Sequence, residues 1–185
     1  SGICFLLMFL ELNSRRKQIP DTLLAWKLFL DNLSPQEKEK CLLILKTETV
    51  SNHGTDLGAV VTYLFGDNAS DNVVIVDEKL PSEGMNQLYN MADGVILISS
   101  AEGWGLSLTE ALLTGTPIIA NVTGGMQDQM RFVDDNGDWY TNDENLPSNH
   151  NATYTKHGPW ALPVISLIVE LTLMMLLKEL NNFII

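Results

Sequence analysis

Cysteine is scarce in this sequence of 185 residues, which contains only Cys4 and Cys41. Both residues lie in apolar, strand-like runs, and neither has the spacing of a metal site or a redox motif. Buried, reduced thiols are the interpretation that fits such isolated cysteines. We therefore predict a cytoplasmic protein that is stabilised by its hydrophobic core rather than by disulfides.

Positive charge is also in short supply. Eleven lysines and arginines stand against 23 aspartates and glutamates, which gives a net charge of −12. A strongly acidic chain is repelled by phosphate backbones and by anionic lipid surfaces. We therefore expect no nucleic-acid partner, and any phosphate-bearing ligand needs a local concentration of basic residues.

Long hydrophobic runs are missing as well. The opening run at residues 3–10 ends at Glu11, and the apolar stretch at residues 163–177 is interrupted by Glu170. Both are shorter than the ~20 residues that a membrane-spanning helix needs. Membrane association is therefore not indicated, and we expect residues 163–177 to form a terminal helix that packs on the core.

Short apolar runs alternate with amphipathic segments along the first two thirds of the chain. This alternation predicts an α/β fold, a Rossmann-like doubly wound parallel sheet, with residues 1–140 as its main body. Residues 141–185 are interpreted as a polar loop and a C-terminal helix of the same domain. The predicted strands are 4–12, 41–46, 73–77, 94–98 and 117–121, and the predicted helices are 20–33, 58–65, 85–92, 106–114 and 126–133.

The most informative segment begins after the buried strand at residues 94–98. In open α/β sheets, the loop at the carboxyl end of a strand forms part of the ligand crevice. Gly103 and Gly105 permit positive φ angles and close approach of a ligand to the backbone. The free N–H groups of Gly105, Leu106 and Ser107 at the next helix start are suited to a phosphate.

Two carboxylates flank that helix start. Glu102 lies in the loop, and Glu110 lies about one turn inside the helix, where side chains lean towards the N-terminus. The pair is suited to a polyhydroxylated ligand that also carries an anionic group. Taken singly, either glutamate is also compatible with a solvated residue that favours the helix dipole.

The sequence Arg15-Arg16-Lys17 concentrates three of the eleven basic residues between the first predicted strand and the first helix. A strand-to-helix loop places this cluster at the same sheet edge as Glu102. The cluster can supply the positive charge that a diphosphate needs, and the alternative is a solvated basic turn.

Residues 102–110, Glu-Gly-Trp-Gly-Leu-Ser-Leu-Thr-Glu, resemble the Glu-x7-Glu signature of retaining nucleotide-sugar glycosyltransferases of the GT-B fold, family 4. The following Gly115-Thr116-Pro117 and the pair Gly124-Gly125 are similar to the same family. The resemblance is specific over residues 85–131 and looser over residues 9–84.

The resemblance implies that the chain is the donor-binding half of a nucleotide-sugar-dependent hexosyltransferase. It implies that Arg16 and Lys17 bind the diphosphate and stabilise the leaving group, with Arg15 as the substitute if the register slips. The loop lacks the usual Gly-Arg opening of the family. It also implies a separate N-terminal half that binds an acceptor, which the sequence does not identify. We expect that half to be missing from this chain, either because the sequence is a fragment or because a separate chain supplies it.

The remaining roles follow from the same resemblance. Glu102 would accept hydrogen bonds from sugar hydroxyls, Glu110 would hold the ribose hydroxyls, and Gly124 and Gly125 would let the next loop close over the sugar. The expected catalytic residues are Glu102, Arg16 and Lys17. The expected donor-binding residues are Gly103, Gly105, Leu106, Ser107, Glu110, Gly124, Gly125 and Arg15.

No cofactor or metal is expected, because no aspartate cluster is present to bind one. Two other functions remain open: a non-catalytic nucleotide-sugar-binding or subunit-interaction module, and a sugar epimerase of the GT-B type. A dinucleotide-dependent enzyme is disfavoured because no Gly-x-Gly-x-x-Gly follows the first strand.

Overall fold

A computed structural model describes residues 5–139 and 156–164 of the chain. Its centre is a six-stranded, fully parallel sheet flanked by helices. The strands are β1 (Phe5–Leu10), β2 (Cys41–Lys46), β3 (Val73–Ile75), β4 (Gly94–Leu97), β5 (Ile118–Asn121) and β6 (Ala161–Val164). The helices are α1 (Ile19–Asp31), α2 (Pro35–Lys38), α3 (Leu57–Phe65), α4 (Ser82–Met91), α5 (Leu106–Leu113) and α6 (Met126–Met130).

The strands lie in the order β3-β2-β1-β4-β5-β6. Strands β2 and β3 are added on one side of β1 and strands β4 to β6 on the other, so the strand order reverses between β1 and β4. Because parallel crossovers are right-handed, this reversal puts α1 and α5 on opposite faces of the sheet. The predicted Rossmann-like doubly wound sheet is confirmed. In such sheets the ligand crevice lies outside the carboxyl ends of the strands at the reversal point, here β1 and β4.

The central strands are apolar because helices cover both of their faces. Every residue of β1 and of β4 is buried, as expected for strands in the middle of a parallel sheet. On the α1 side, Phe5 packs against Trp26 and Phe29, with ring centroids 6.0 and 5.7 Å away. These contacts fix β1 and α1 relative to each other and therefore fix the loop between them.

The prediction of a terminal helix over residues 163–177 is wrong at the first two residues. Pro163 and Val164 lie in β6, which pairs with β5 in parallel register from Ile118 opposite Ala161 onwards. A proline can lie in this strand because β6 is an edge strand among residues 5–139 and 156–164, so one side of its backbone has no partner strand there. The rest of that prediction, residues 165–177, lies outside the described residues, as does Cys4.

Helix boundaries differ from the predictions where local backbone conformation decides them. Helix α6 ends at Met130 rather than at residue 133, because Arg131 has a left-handed φ of 52°. Helix α4 begins at Ser82, earlier than predicted, directly after the extended Pro81. Helix α2 was not predicted, although Ser34 and Glu37 form a capping box at its start. Within the described ranges, no helix is long and apolar enough to cross a membrane.

Candidate functional site

The loops that follow β1 and β4 meet at the reversal point of the sheet. Two contacts join them directly: the backbone N–H of Ser100 donates to the carbonyl of Arg16 over 2.8 Å, and the Ser99 hydroxyl donates to the same carbonyl over 3.1 Å. The basic loop and the glutamate loop, which are more than 80 residues apart in sequence, therefore form one surface.

Three donors converge on Oε1 of Glu102. The Arg16 guanidinium lies 2.5 Å from it and the Ser99 hydroxyl 2.8 Å, and the Lys17 ammonium is also in contact with it. Arg16 and Lys17 lie in a short 3-10 helix, Arg15–Lys17, immediately before α1. The predicted proximity of the basic cluster to Glu102 is thus present in the structure.

The two cations differ in their exposure. Half of the Arg16 side chain is exposed, whereas the Lys17 side chain is only 3% exposed and that of Glu102 is 8% exposed. Burial alone raises the pKa of Glu102, but hydrogen bonds from Lys17 and Ser99 and the charges of Lys17 and Arg16 outweigh it and lower the pKa. Glu102 is therefore an ionised carboxylate at neutral pH.

Glu11, which the sequence interpretation did not single out, connects this cluster to the start of α5. Its Oε2 accepts a hydrogen bond from Lys17 Nζ over 2.5 Å, and its Oε1 accepts one from the Ser107 hydroxyl over 2.8 Å. Lys17 consequently lies between two carboxylates, those of Glu11 and Glu102. No local sequence signal could show this, because Glu11 and Ser107 are 96 residues apart.

Arg15 does not take part in the ion pairs around Glu102. Its side chain is exposed and forms no ion pair with any residue in the described ranges. Its backbone N–H donates to the carbonyl of His53 over 3.0 Å.

The buried Asn13 side chain connects the loop after β1 to the loop after β2. It forms hydrogen bonds with the backbone of Glu48 and Thr55.

The two glycines before α5 differ in backbone conformation. Gly105 precedes the helix with a φ of +83°, whereas Gly103 does not adopt the positive φ that a glycine permits. Leu106 at the first helical position is exposed, and Ser107 is buried. The N–H groups of Leu106 and Ser107 lack partners within the helix, as at every helix start, whereas that of Leu108 donates to the Gly105 carbonyl over 3.0 Å.

Gly124 and Gly125 pack against the backbone of the glutamate loop. A Cβ on Gly124 would lie 1.8 Å from the carbonyl oxygen of Glu102, and one on Gly125 would lie 2.4 Å from that of Gly103. The Gly125 N–H also donates to the Gly103 carbonyl over 3.1 Å. The pair therefore holds the Glu102 loop in place.

A cavity of about 560 Å³ lies beside this cluster, at the carboxyl ends of the first three strands and the start of α5. Glu110 lines it, and its Oε2 accepts a hydrogen bond of 2.6 Å from the hydroxyl of Tyr89 on α4. Burial and the adjacent Glu110 carboxylate raise the pKa of Tyr89, so its hydroxyl stays protonated as the donor. The lining residues are Leu10, Glu11, Leu12, Lys46, Thr47, Glu48, Asp77, Lys79, Leu80, Met85, Tyr89, Leu106, Ser107 and Glu110.

The fold is a Rossmann-like α/β domain with a parallel sheet, and its similarity to glycosyltransferases is found both in part of the sequence and in solved structures. Residues 68–140 match the family described as "Glycosyl transferases group 1". The predicted resemblance to these glycosyltransferases is thereby confirmed. No curated protein sequence matches the chain.

Solved structures share the fold at low sequence identity. The C-terminal domain of a glycosyl transferase group 1 family protein (LpcC) from Francisella tularensis superposes with a TM-score of 0.64 at 13% identity, covering 96% of this chain and 75% of that one. Sucrose-phosphate synthase from Thermosynechococcus elongatus gives 0.62 at 19% identity, covering 97% and 37%. A UDP-forming trehalose-phosphate synthase from Burkholderia xenovorans gives 0.65 at 12% identity, covering 96% and 36%. The chain thus spans little more than a third of either synthase.

Proposed function

We propose that this chain is the donor-binding half of a retaining glycosyltransferase that takes a nucleoside-diphosphate sugar. The observation that carries the proposal is the convergence of Arg16 and Lys17 with Glu102 beside the start of α5 and the adjacent cavity. The family match over residues 68–140 supports glycosyl transfer as the reaction class.

The parts of such a donor fit different parts of this surface. The nucleoside would lie in the cavity, where Glu110 can accept two hydrogen bonds from neighbouring ribose hydroxyls. The diphosphate would lie between Arg16 and the N–H groups at the start of α5. The sugar would then extend towards Glu102, whose Oε2 has no hydrogen-bond partner among the described residues.

Departure of the nucleoside diphosphate builds negative charge on its phosphate oxygens. The guanidinium of Arg16, with half of its side chain exposed, and the helix N–H groups can oppose that charge directly. Lys17 can do so only if its contact with Glu11 opens. We propose that these groups act without a metal and that the anomeric configuration is retained.

The experiment that tests the proposal is a calorimetric titration with UDP, GDP and ADP and with the corresponding nucleosides, on the wild-type chain and on Arg16→Ala. Loss of a charge-assisted hydrogen bond costs about 1.5 to 3 kcal/mol, so we expect diphosphate affinity to fall by about 10- to 100-fold. Nucleoside affinity stays nearly constant. Lys38→Ala removes the same charge before β2, at the opposite sheet edge, and serves as the control. Equal losses for nucleoside and diphosphate would contradict the phosphate role.

Tyr89 is expected to act through Glu110. In Tyr89→Phe the Glu110 carboxylate loses its 2.6 Å hydrogen bond, and we expect ribonucleotide affinity to fall severalfold while 2′-deoxynucleotide affinity changes little. Stability should fall by about 1 kcal/mol. Denaturant unfolding and paired titrations measure both effects, with Tyr63→Phe as control because Tyr63 is 88% exposed. An equal loss for both nucleotides would show that Tyr89 only supports the cavity wall.

The two alternative functions, a sugar epimerase and a non-catalytic binding module, predict different activities from those of a transferase. A sugar epimerase turns over a nucleotide-sugar without an acceptor, so acceptor-free turnover would favour it. A non-catalytic binding module gains no activity when an acceptor-binding half is supplied. The transferase proposal expects activity in that case, with Glu102→Gln abolishing it and a metal chelator leaving it unchanged.

A further inference from the structure

Glu11 lies where a strand end, a buried cation and a helix start come together. It is the first residue after β1, and its side chain is 16% exposed. One carboxylate oxygen accepts from the Ser107 hydroxyl at the second position of α5, and the other accepts from Lys17 Nζ. Both oxygens are therefore held by donors from the 3-10 helix and from the start of α5, the two segments between which we place the diphosphate.

The charge balance around Glu11 is unfavourable for an incoming anion. Lys17 is shared between Glu11 and Glu102, and Arg16 also pairs with Glu102, so two cations face two carboxylates. The adjoining cavity is lined by four carboxylates and only two lysines. An anionic ligand thus finds the buried ammonium already neutralised.

We propose that Glu11 is a specificity-determining residue that occupies the anion position of the unliganded site and competes with the diphosphate for Lys17 and the start of α5. This inference rests on the proposed function in that the anion is taken to be a nucleoside diphosphate. Binding exchanges one anion for another: the Glu11 side chain leaves Lys17 and Ser107, and phosphate oxygens take its place. Glu11 therefore lowers affinity for the diphosphate portion of a ligand and leaves the nucleoside portion unaffected.

The opposite role, in which Glu11 holds Lys17 in a productive orientation, predicts the opposite result. If Lys17 needs Glu11 to face the phosphates, neutralising Glu11 weakens anion binding or leaves it unchanged. If Glu11 competes with the phosphates, neutralising it strengthens their binding. The sign of one measured change separates the two.

The test compares Glu11→Gln with wild type in titrations with UDP, GDP and ADP, their nucleosides, and inorganic pyrophosphate. We expect Glu11→Gln to raise affinity for pyrophosphate and for the preferred nucleoside diphosphate by about tenfold or more, with nucleoside affinity unchanged. Glu39→Gln is the matched control, because Glu39 is exposed and lies between α2 and β2, at the opposite end of the strands from Lys17. It should change these affinities by less than about threefold. Glu11→Ala is a second variant with the same expected direction, in case the glutamine variant folds poorly.

The possible results separate this inference from the proposed function. Unchanged or weaker pyrophosphate binding by Glu11→Gln and Glu11→Ala overturns the competition, even when the wild type binds nucleoside diphosphates. An equal gain in Glu39→Gln also overturns it, because the effect is then general to the negative charge of the protein. If no nucleoside diphosphate binds to any variant while Glu11→Gln gains pyrophosphate affinity, the anion position stands and the nucleotide assignment falls.

Discussion

Replacing Lys17 with alanine is expected to lower the free energy of unfolding by about 3 kcal/mol or more, because it leaves two carboxylates facing each other without their shared cation. The Lys17 side chain is 3% exposed and contacts both Glu11 and Glu102, whose side chains are 16% and 8% exposed. Urea-induced unfolding at neutral pH, followed by tryptophan fluorescence, measures the loss.

A matched pair of variants locates the cause. Lys27→Ala removes the same side chain from a partly exposed pair with Asp31 on α1, and such pairs contribute only about 0.3 to 0.5 kcal/mol. The double variant Lys17→Ala/Glu11→Gln also removes the negative charge of Glu11, one of the two carboxylates that lost Lys17 as a partner. It should therefore regain part of the stability. A Lys17→Ala loss no larger than that of Lys27→Ala would show that the buried cluster contributes little.

The loss should also depend on pH. The pKa of Glu102 lies below its usual value of 4.5, with Lys17 among the causes, so the ionised form stabilises the fold above that value. This contribution is lost as the pH falls through the lowered pKa of the folded state. The stability difference between wild type and Lys17→Ala should therefore narrow as the pH falls below 4.5. A difference that stays constant down to pH 3 would point to lost packing instead.

Local sequence patterns predicted most of the sheet because each central strand is a continuous apolar run. Five of the six strands in the described residues were predicted, and the exception is the edge strand Ala161–Val164, whose second half was assigned to a terminal helix. A proline is acceptable there because β6 is an edge strand of the sheet that the described residues form. That condition depends on the assembled sheet and is not visible in a short segment.

The candidate site also has a part that was predictable from the sequence and a part that was not. The proximity of Arg16 and Lys17 to Glu102 was predictable, because loops after neighbouring parallel strands meet at one sheet edge. Glu11 and Tyr89 were missed because their importance comes from side-chain partners, Ser107 and Glu110, that lie far away in sequence. The roles assigned to all of these residues in donor binding stay predictions.

Gly124 and Gly125, the glycine pair before α6, stood out in the sequence, but the physical reason for two glycines there is visible only in the structure. The family resemblance implied that Gly124 and Gly125 let a loop close over a sugar. In the structure, both glycines allow the chain to lie against the backbone of residues 102–104. Removing that close approach should therefore disturb Glu102 even in the absence of any ligand.

Gly124→Ala is expected to lower the free energy of unfolding by about 3 kcal/mol, since it combines two costs. Gly124 has a φ of +51°, and an added Cβ would lie 1.8 Å from the Glu102 carbonyl oxygen, which is backbone and cannot rotate away. The loop must move to relieve that contact, and the Glu102 carboxylate moves away from Arg16 and Lys17. Diphosphate affinity should fall together with stability.

Gly115→Ala separates the cost of the left-handed backbone conformation from the cost of the steric contact. Gly115 has a φ of +77° at the far end of α5, and an added Cβ would meet nothing within 4 Å. It therefore carries only the backbone cost of about 1 to 2 kcal/mol and should leave diphosphate binding unchanged. Denaturant unfolding and calorimetry of the two variants make the comparison. If the two variants lose equal stability and Gly124→Ala binds diphosphate normally, the contact between the glycine pair and the Glu102 loop does not position the carboxylate. A larger loss at Gly124 with weakened binding assigns that pair to the support of Glu102.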